Sequence, residues 1–361
     1  MQQIKSLRID WLLVLPVILM TLMGVLTLTS FNINNVSQVS QALIWRHIFS
    51  IIMGFTVSII ISRIDYRSFS SVVQPLFFIT IFTLLLVLFL AETINGARSW
   101  FSLGFINVQP SEFAKISVII IIAHYINRYH YRLNSFITII LSLIPISIIS
   151  FLILLQPDFG TTSVIVIIWL GMIVFGGAKF RHIFTLLLMG IILFASLWGF
   201  IFKDYQKQRI LTFLDPTSDP LGSGYNSIQA IKSVSSGGLL GVDRQFISVP
   251  EIHTDFIFAG FAQQWGFLGV SFYFIFAIII VGRIFYIGLK SQDSFARMLL
   301  LGILLVFTSQ FSINIGMNIG LLPITGIPLP FMSYGGSSMI VYWIFIGIIL
   351  SIQRHKIAQG T

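Results

Sequence analysis

Glu251, His253 and Asp255 stand directly ahead of a long apolar run, in the stretch VPEIHTDFIFAGFAQQWG from Val249 to Gly266. A carboxylate at a membrane boundary must avoid lipid or find a partner, so its presence there points to chemistry rather than solubility. The spacing places Asp255, five residues after Pro250, at the lip of the membrane and makes it the leading candidate for a reacting group. His253 could act as a base or ligand, but a lone histidine in a chain with six fits a surface role as well.

Three more polar clusters interrupt the apolar background: GARSWFSLGFINVQPSEFAK (Gly96 to Lys115), QPDFGTT (Gln156 to Thr162) and IPLPFMSYGGSS (Ile327 to Ser338). Pro110-Ser111-Glu112 reads as a helix start. Glu112 then either complements the helix dipole and pairs with Lys115 at i,i+3, or faces a site. Asp158, after Pro157, has the same two readings, as a cap or as a site carboxylate. Trp100 suits an interfacial anchor or a substrate platform, and the glycines of SYGGSS suit close helix packing or a phosphate loop. Helix N-termini with unpaired amides, grouped with Arg98, Lys115 and Arg209, would make an outward-facing site for a phosphate or pyrophosphate.

The scaffold that must hold these residues is readable from composition. Hydrophobic residues make up 56% of the chain and charged residues 9%, with mean hydropathy +0.96. A soluble domain carries about 25% charged residues, so this is a polytopic helical membrane protein with one membrane domain, 1–361. Ten spans are expected, at 11–31, 45–62, 71–91, 110–127, 136–155, 160–177, 182–202, 262–282, 297–317 and 333–353. The first is too long for a signal-peptide core and reads as a retained span. Basic residues collect in alternate short loops (Arg63, Arg67, Arg128, Arg132, Lys179, Arg181, Arg283, Lys290), which puts both termini in the cytoplasm by the positive-inside rule. The long hydrophilic segment 203–261 then faces out. It holds the turn LDPTSDPLGSGYN, a short amphipathic helix near Tyr225 to Val234 and the Gly-rich SSGGLLG. All four polar clusters lead into even-numbered spans at their outer ends and so share one membrane face.

Composition also excludes. The chain has no cysteine, which removes disulfides, thiol chemistry and Cys-ligated zinc. The net charge of +9 comes from basic residues scattered in ones and twos, with no stripe suited to nucleic acid.

GARSWF, QPSEFAK, QPDFGT, LDPTSDPLGSGYN, VPEIHTDFIFA and GIPLPFMSYGGSS occur here in the order and spacing of the SEDS family (shape, elongation, division and sporulation), and the resemblance covers essentially all of the chain. The blocks KDYQKQRILTFLDPTSDP and MNIGLLPITGIPLPFMSYGGSS look more like the rod-shape branch of the family than the division branch. The resemblance implies a SEDS-type all-α fold of about ten transmembrane helices. It implies a peptidoglycan glycosyltransferase that polymerises lipid II at the outer face of the cytoplasmic membrane, for cell elongation and rod shape. By the same resemblance, Asp255 is the catalytic carboxylate, and Arg98, Glu112, Lys115, Asp158 and Arg209 belong to the substrate-binding cavity. The implied partners are a class B penicillin-binding protein transpeptidase and other membrane proteins of the elongation complex.

The chemistry agrees. A sugar hydroxyl must attack the anomeric carbon of a donor whose leaving group is a lipid-linked pyrophosphate. A carboxylate can take the hydroxyl proton and arginine can stabilise the departing charge. Aspartate with a second acidic group could also hold a divalent cation, Mg or Mn, against the pyrophosphate; no organic cofactor is expected. Two departures from the family pattern stand out: Gln263-Gln264 replace the usual acidic pair, and the stretch from Gly241 to Val249 is short. They keep open a catalytically silent scaffold for a cell-wall complex. A lipid-precursor flippase is the other alternative, disfavoured because the spans are largely free of charge.

Overall fold

The computed structural model describes residues 10–33, 39–91, 98–104, 106–200, 213, 215, 224–242 and 247–358. Arg209 and most of the LDPTSDPLGSGYN turn lie outside the described residues. Eleven α-helices are described: α1 (Trp11–Ile33), α2 (Gln41–Arg63), α3 (Val73–Leu90), α4 (Pro110–Tyr129), α5 (Phe136–Leu154), α6 (Phe159–Phe175), α7 (Phe180–Phe200), α8 (Tyr225–Ser236), α9 (Ile257–Lys290), α10 (Ser294–Asn318) and α11 (Gly336–Ala358). Ten of them overlap the ten expected segments, of which seven are long and apolar enough to cross a membrane, and α8 is the expected amphipathic helix.

By length and composition, α1, α2, α3, α5, α9, α10 and α11 are each able to cross a membrane, and α6 is a shorter apolar helix. The chain is a multi-pass membrane protein. α4 differs because Glu112, Lys115 and Arg128 lower its hydropathy. It is sheathed by α3, α5, α6, α10 and α11, and Ile119 to Ile122 are buried against them. Large apolar side chains on the outer helices, such as Phe78, Ile137 and Phe180, point away from the protein, as lipid-facing residues must. Among the described residues, the one departure from an all-α reading is a hairpin, β1 (Phe101–Leu103) with β2 (Ile106–Val108), paired Phe101↔Val108 and turned at Gly104 with φ +72°. Strands of three residues are too short to leave a period-two pattern.

The eighth span departs from its expected form. α9 is broken at Gly266, whose φ of 60° and ψ of −164° are accessible essentially only to glycine. The rings of Phe258 and Phe274 lie 6.4 Å apart and those of Phe261 and Tyr273 6.0 Å apart. In a straight helix these pairs would be separated by roughly 24 and 18 Å, so the chain folds back on itself at Gly266. Residues 257–263 are buried, and lipid-type exposure begins at Phe267, which is 63% exposed. The span is therefore the limb from Phe267 to Lys290, preceded by a re-entrant limb inside the protein. The Gly-rich turn fills the break, where the Phe267 and Leu268 amides donate to the carbonyls of Gly238 and Leu239 (2.9 and 3.2 Å).

At the opposite end, ion pairs and hydrogen bonds tie the helices together. Asp10 accepts from Arg283 at the foot of α9 (2.7 Å) and from Gln353 of α11 (2.6 Å). Asp293, the N-cap of α10, accepts from Tyr66 in the α2–α3 turn (2.7 Å). Burial and this bond raise the Tyr66 phenol to about 12.

Candidate active site

The re-entrant limb decides where Asp255 sits. Nine helical residues separate Phe256 from Gly266, a rise of roughly 14 Å, so Asp255 lies recessed by the length of the re-entrant limb from the break. The turn ahead of it starts at Glu251, whose φ is +54°, and closes through Thr254 N and Phe256 N donating to the Glu251 carbonyl (3.1 and 3.3 Å). Asp255 is half-buried, and its Oδ2 faces Gly326, where an added Cβ would stand 3.5 Å away. Burial pushes the carboxyl up to about 7, and the charges of Glu251 and Asp158 add to that rise. His253 moves the other way, lowered mainly by burial against a weaker opposing effect of Glu251. Neutral His253, 3.8 Å from the Glu251 carboxylate, contributes no formal positive charge at pH 7. Its ring is 5.8 Å from that of Tyr334, so it is an inward residue rather than a surface one.

The segment between α10 and α11 forms the other wall. It runs without helix or strand, exposed at Ile319 to Leu322 and largely buried from Ile327 to Ser333, and buried backbone is tolerable in a membrane domain only if its polar groups find partners. They do. Pro330 O accepts from Tyr273 of α9 (3.1 Å), Pro328 O from Tyr342 of α11 (3.3 Å), and Ile327 O from Asn314 of α10 (2.7 Å). Ser333 Oγ donates to Thr254 O (2.7 Å) and Tyr334 N to His253 O (2.9 Å), which locks this wall to the Asp255 turn.

Asp158 caps α6, accepting from Thr161 N (2.9 Å), and its other oxygen accepts from Gln109 and Ser111 at the start of α4 (both 3.1 Å). It is thus a structural cap that also lends negative charge to Asp255. Glu112 and Lys115 form an ion pair of 2.7 Å with side chains 3% and 1% exposed. The lysine expected on a cationic wall is enclosed and already matched, because the first turn of α4 is covered by its neighbours. Arg98 is exposed at the entry to β1, and the adjacent Ser99 holds it near the α5–α6 turn by donating to Gln156 O (3.1 Å). Trp100 is half-buried beside it.

Gln263 accounts for the departures in the outer segment. Its side-chain oxygen accepts from Ser233 of α8 (2.9 Å) and Ile247 N (3.2 Å), and its carbonyl accepts from Val242 N (2.9 Å). Both described ends of the short 241–249 stretch are pinned to this one residue. Residues 243–246 lie outside the described ones. Among the described residues, no group of three or more His, Asp or Glu side chains could hold a metal ion by itself. A divalent cation beside Asp255 would have to draw ligands from the substrate, as magnesium commonly does with phosphate oxygens.

A multi-pass helical membrane protein with a recessed carboxylate, walled by irregular backbone whose polar groups are met by side chains, defines the class: a membrane-embedded enzyme. The chain belongs to the cell cycle protein family of FtsW, RodA and SpoVE, whose model matches residues 10–358. Peptidoglycan glycosyltransferase MrdB of Escherichia coli K12 is 34% identical over 350 residues, covering 94% of each chain. Stage V sporulation protein E of Bacillus subtilis is 34% identical over 312 residues, covering 84% of this chain and 85% of its own. Among solved structures, a chain from a peptidoglycan synthase complex that coordinates polymerization and crosslinking superposes with a TM-score of 0.84 at 28% identity, covering 97% of this chain and 99% of that one. Rod shape determining protein RodA of Thermus thermophilus superposes at 0.70 and 26% identity, covering 96% and 97%.

Proposed function

We propose that this chain is a peptidoglycan glycosyltransferase that polymerises lipid II at the outer face of the cytoplasmic membrane, with Asp255 as the general base. The observation that carries the reading is the recessed Asp255, held near neutrality at about 7 in a half-buried turn. Such a carboxylate can take a proton from a weakly acidic hydroxyl far better than one at the ordinary aspartate value. The acceptor sugar oxygen loses its proton to Asp255 and bonds the anomeric carbon of the donor, while the bond from that carbon to the lipid-linked pyrophosphate breaks. Arg98, and Arg209 by family position, stabilise the charge that grows on the leaving group. Because Lys115 is spent on Glu112, the pair serves to hold the first turn of α4 under the site. Asp255 with a second carboxylate, Glu251 or Asp158, would be the residues to hold a divalent cation, Mg or Mn, which would supply neutralisation of the departing charge. A class B penicillin-binding protein is the partner, and both termini lie in the cytoplasm.

Gln263 serves the shortened loop as an acceptor for Ser233 and Ile247 N, a structural use that leaves the Asp255 turn untouched. The decisive experiment is glycan polymer formation by purified protein in liposomes with lipid II, with and without a divalent ion. Asp255→Asn should fall by a factor on the order of 10² or more at matched folding. Undiminished polymer from that variant would overturn the mechanism.

A further inference from the structure

We propose that Asn314 and Asn318 of α10 are positioning residues for Asp255, a role that rests on Asp255 being the base. Both side chains are fully enclosed, in a helix whose buried residues are mostly apolar. A buried amide is costly unless its hydrogen bonds are made, and here they converge on the turn that carries the carboxylate. Asn314 Nδ2 donates to Asp255 O (3.0 Å) and to Ile327 O (2.7 Å). Asn318 Nδ2 donates to Asp255 O (3.1 Å) and Asn314 O (2.8 Å), while its Oδ1 accepts from Ala259 N on the re-entrant limb (3.1 Å). One turn apart on a helix, the two side chains stack on the same face and reach one carbonyl together.

The consequence lies in the backbone. Three successive carbonyls of the turn are gripped from outside it: His253 O by Tyr334 N, Thr254 O by Ser333 Oγ, and Asp255 O by the two asparagines. The first two grips come from the wall beyond α10 and the third from α10 itself. The asparagines therefore fix the last peptide before the re-entrant limb and set the direction in which the carboxylate leaves it. Ile327 O, bonded by the same Asn314, is the neighbour of Gly326, which the carboxylate faces, so one amide sets the spacing between the base and the opposite wall. Apolar residues would pack an interhelical contact equally well. Neither asparagine touches the site cavity by any bond described, so neither is a catalytic residue.

The test compares purified Asn314→Ala, Asn318→Ala and the double variant with wild type, Asp255→Asn and Ser233→Ala, with lipid II in liposomes. Ser233→Ala removes a buried bond to the same re-entrant limb, at Ala259 O and Gln263, without touching Asp255. A shift of about 1 Å at a reacting group costs on the order of 10² in rate. The expected result is a fall in kcat of about tenfold for each asparagine variant and about 100-fold for the double, with KM for lipid II within about threefold of wild type. Ser233→Ala should keep its kcat while losing comparable thermal stability. Should Asn314→Ala fail to fold, Asn318→Ala decides, since it leaves the bond to Ile327 intact. Wild-type kcat in the asparagine variants beside an inactive Asp255→Asn would overturn the inference alone. Equal kcat losses in Ser233→Ala and the asparagine variants would overturn it too, by assigning the effect to general loosening. An active Asp255→Asn would remove the base reading itself.

Discussion

As the proposed base, Asp255 is suited to its role because its carboxyl is both recessed and held near neutrality. A general base must be deprotonated to work, and the raised value of about 7 means that half of the free protein is protonated there. The expected pH dependence follows in sign: with no divalent cation present, kcat/KM for lipid II should rise through about pH 7 and fall about tenfold per unit below it. A limb centred near the ordinary aspartate value would show that another group takes the proton. The ion pair of Glu112 and Lys115 offers a second measurement at this scale. Breaking a buried pair leaves a charge without a partner, so Glu112→Gln should cost about 3–5 kcal/mol in unfolding free energy. Glu112→Leu with Lys115→Met should recover most of that loss in the same thermal or denaturant assay. Asp255 was legible from sequence because a carboxylate ahead of an apolar run is conspicuous. Asn314 and Asn318 were not, since an amide inside an apolar span signals nothing until its partner, 59 or 63 residues away in the chain, is brought to it.

The elements that build the site are the irregular ones. The re-entrant limb and the wall after α10 are both backbone placed inside a membrane domain, and each stays there because tyrosine, serine and asparagine side chains satisfy it. Gly266 is the hinge between the two limbs of α9. A Cβ there would meet the carbonyl carbon and oxygen of Leu239 at 2.7 Å, in a conformation other residues scarcely adopt. Gly266→Ala should cost about 1–3 kcal/mol from the backbone alone, visible as a lowered melting temperature in detergent, and should reduce polymerisation by displacing Asp255. Wild-type stability and activity in this variant would mean that the hinge is not built as described. The position of α9 was readable from hydropathy, but its break was not. A glycine inside an apolar run marks close approach, a bend or nothing, and only the Gly-rich turn seated against it distinguishes these.

At the scale of the whole molecule, the bundle presents the polar clusters at one end and the bonds of Asp10, Arg283 and Gln353 at the other. On the proposed orientation, which puts both termini in the cytoplasm, Leu240 in the Gly-rich turn (75% exposed) should face out and Tyr131 in the α4–α5 turn (87% exposed) should face in. The chain has no cysteine, so Leu240→Cys and Tyr131→Cys can be labelled without background. An impermeant thiol reagent added to intact cells should modify the first and spare the second. The reverse pattern would invert the molecule and place Asp255 on the cytoplasmic side.

The helical, multi-pass character and the approximate helix positions were legible in the sequence alone. Both follow from local hydropathy, which acts over about 20 residues at a time. Tertiary structure decided what the four polar clusters do. It paired Lys115 with Glu112, turned Asp158 into a cap joining α4 to α6, made Gln263 the tether of a shortened loop, and drew Asp255 inward on a re-entrant limb. Such outcomes depend on which buried donor meets which buried acceptor. That is a property of contacts between distant segments, and no window along the chain contains both partners.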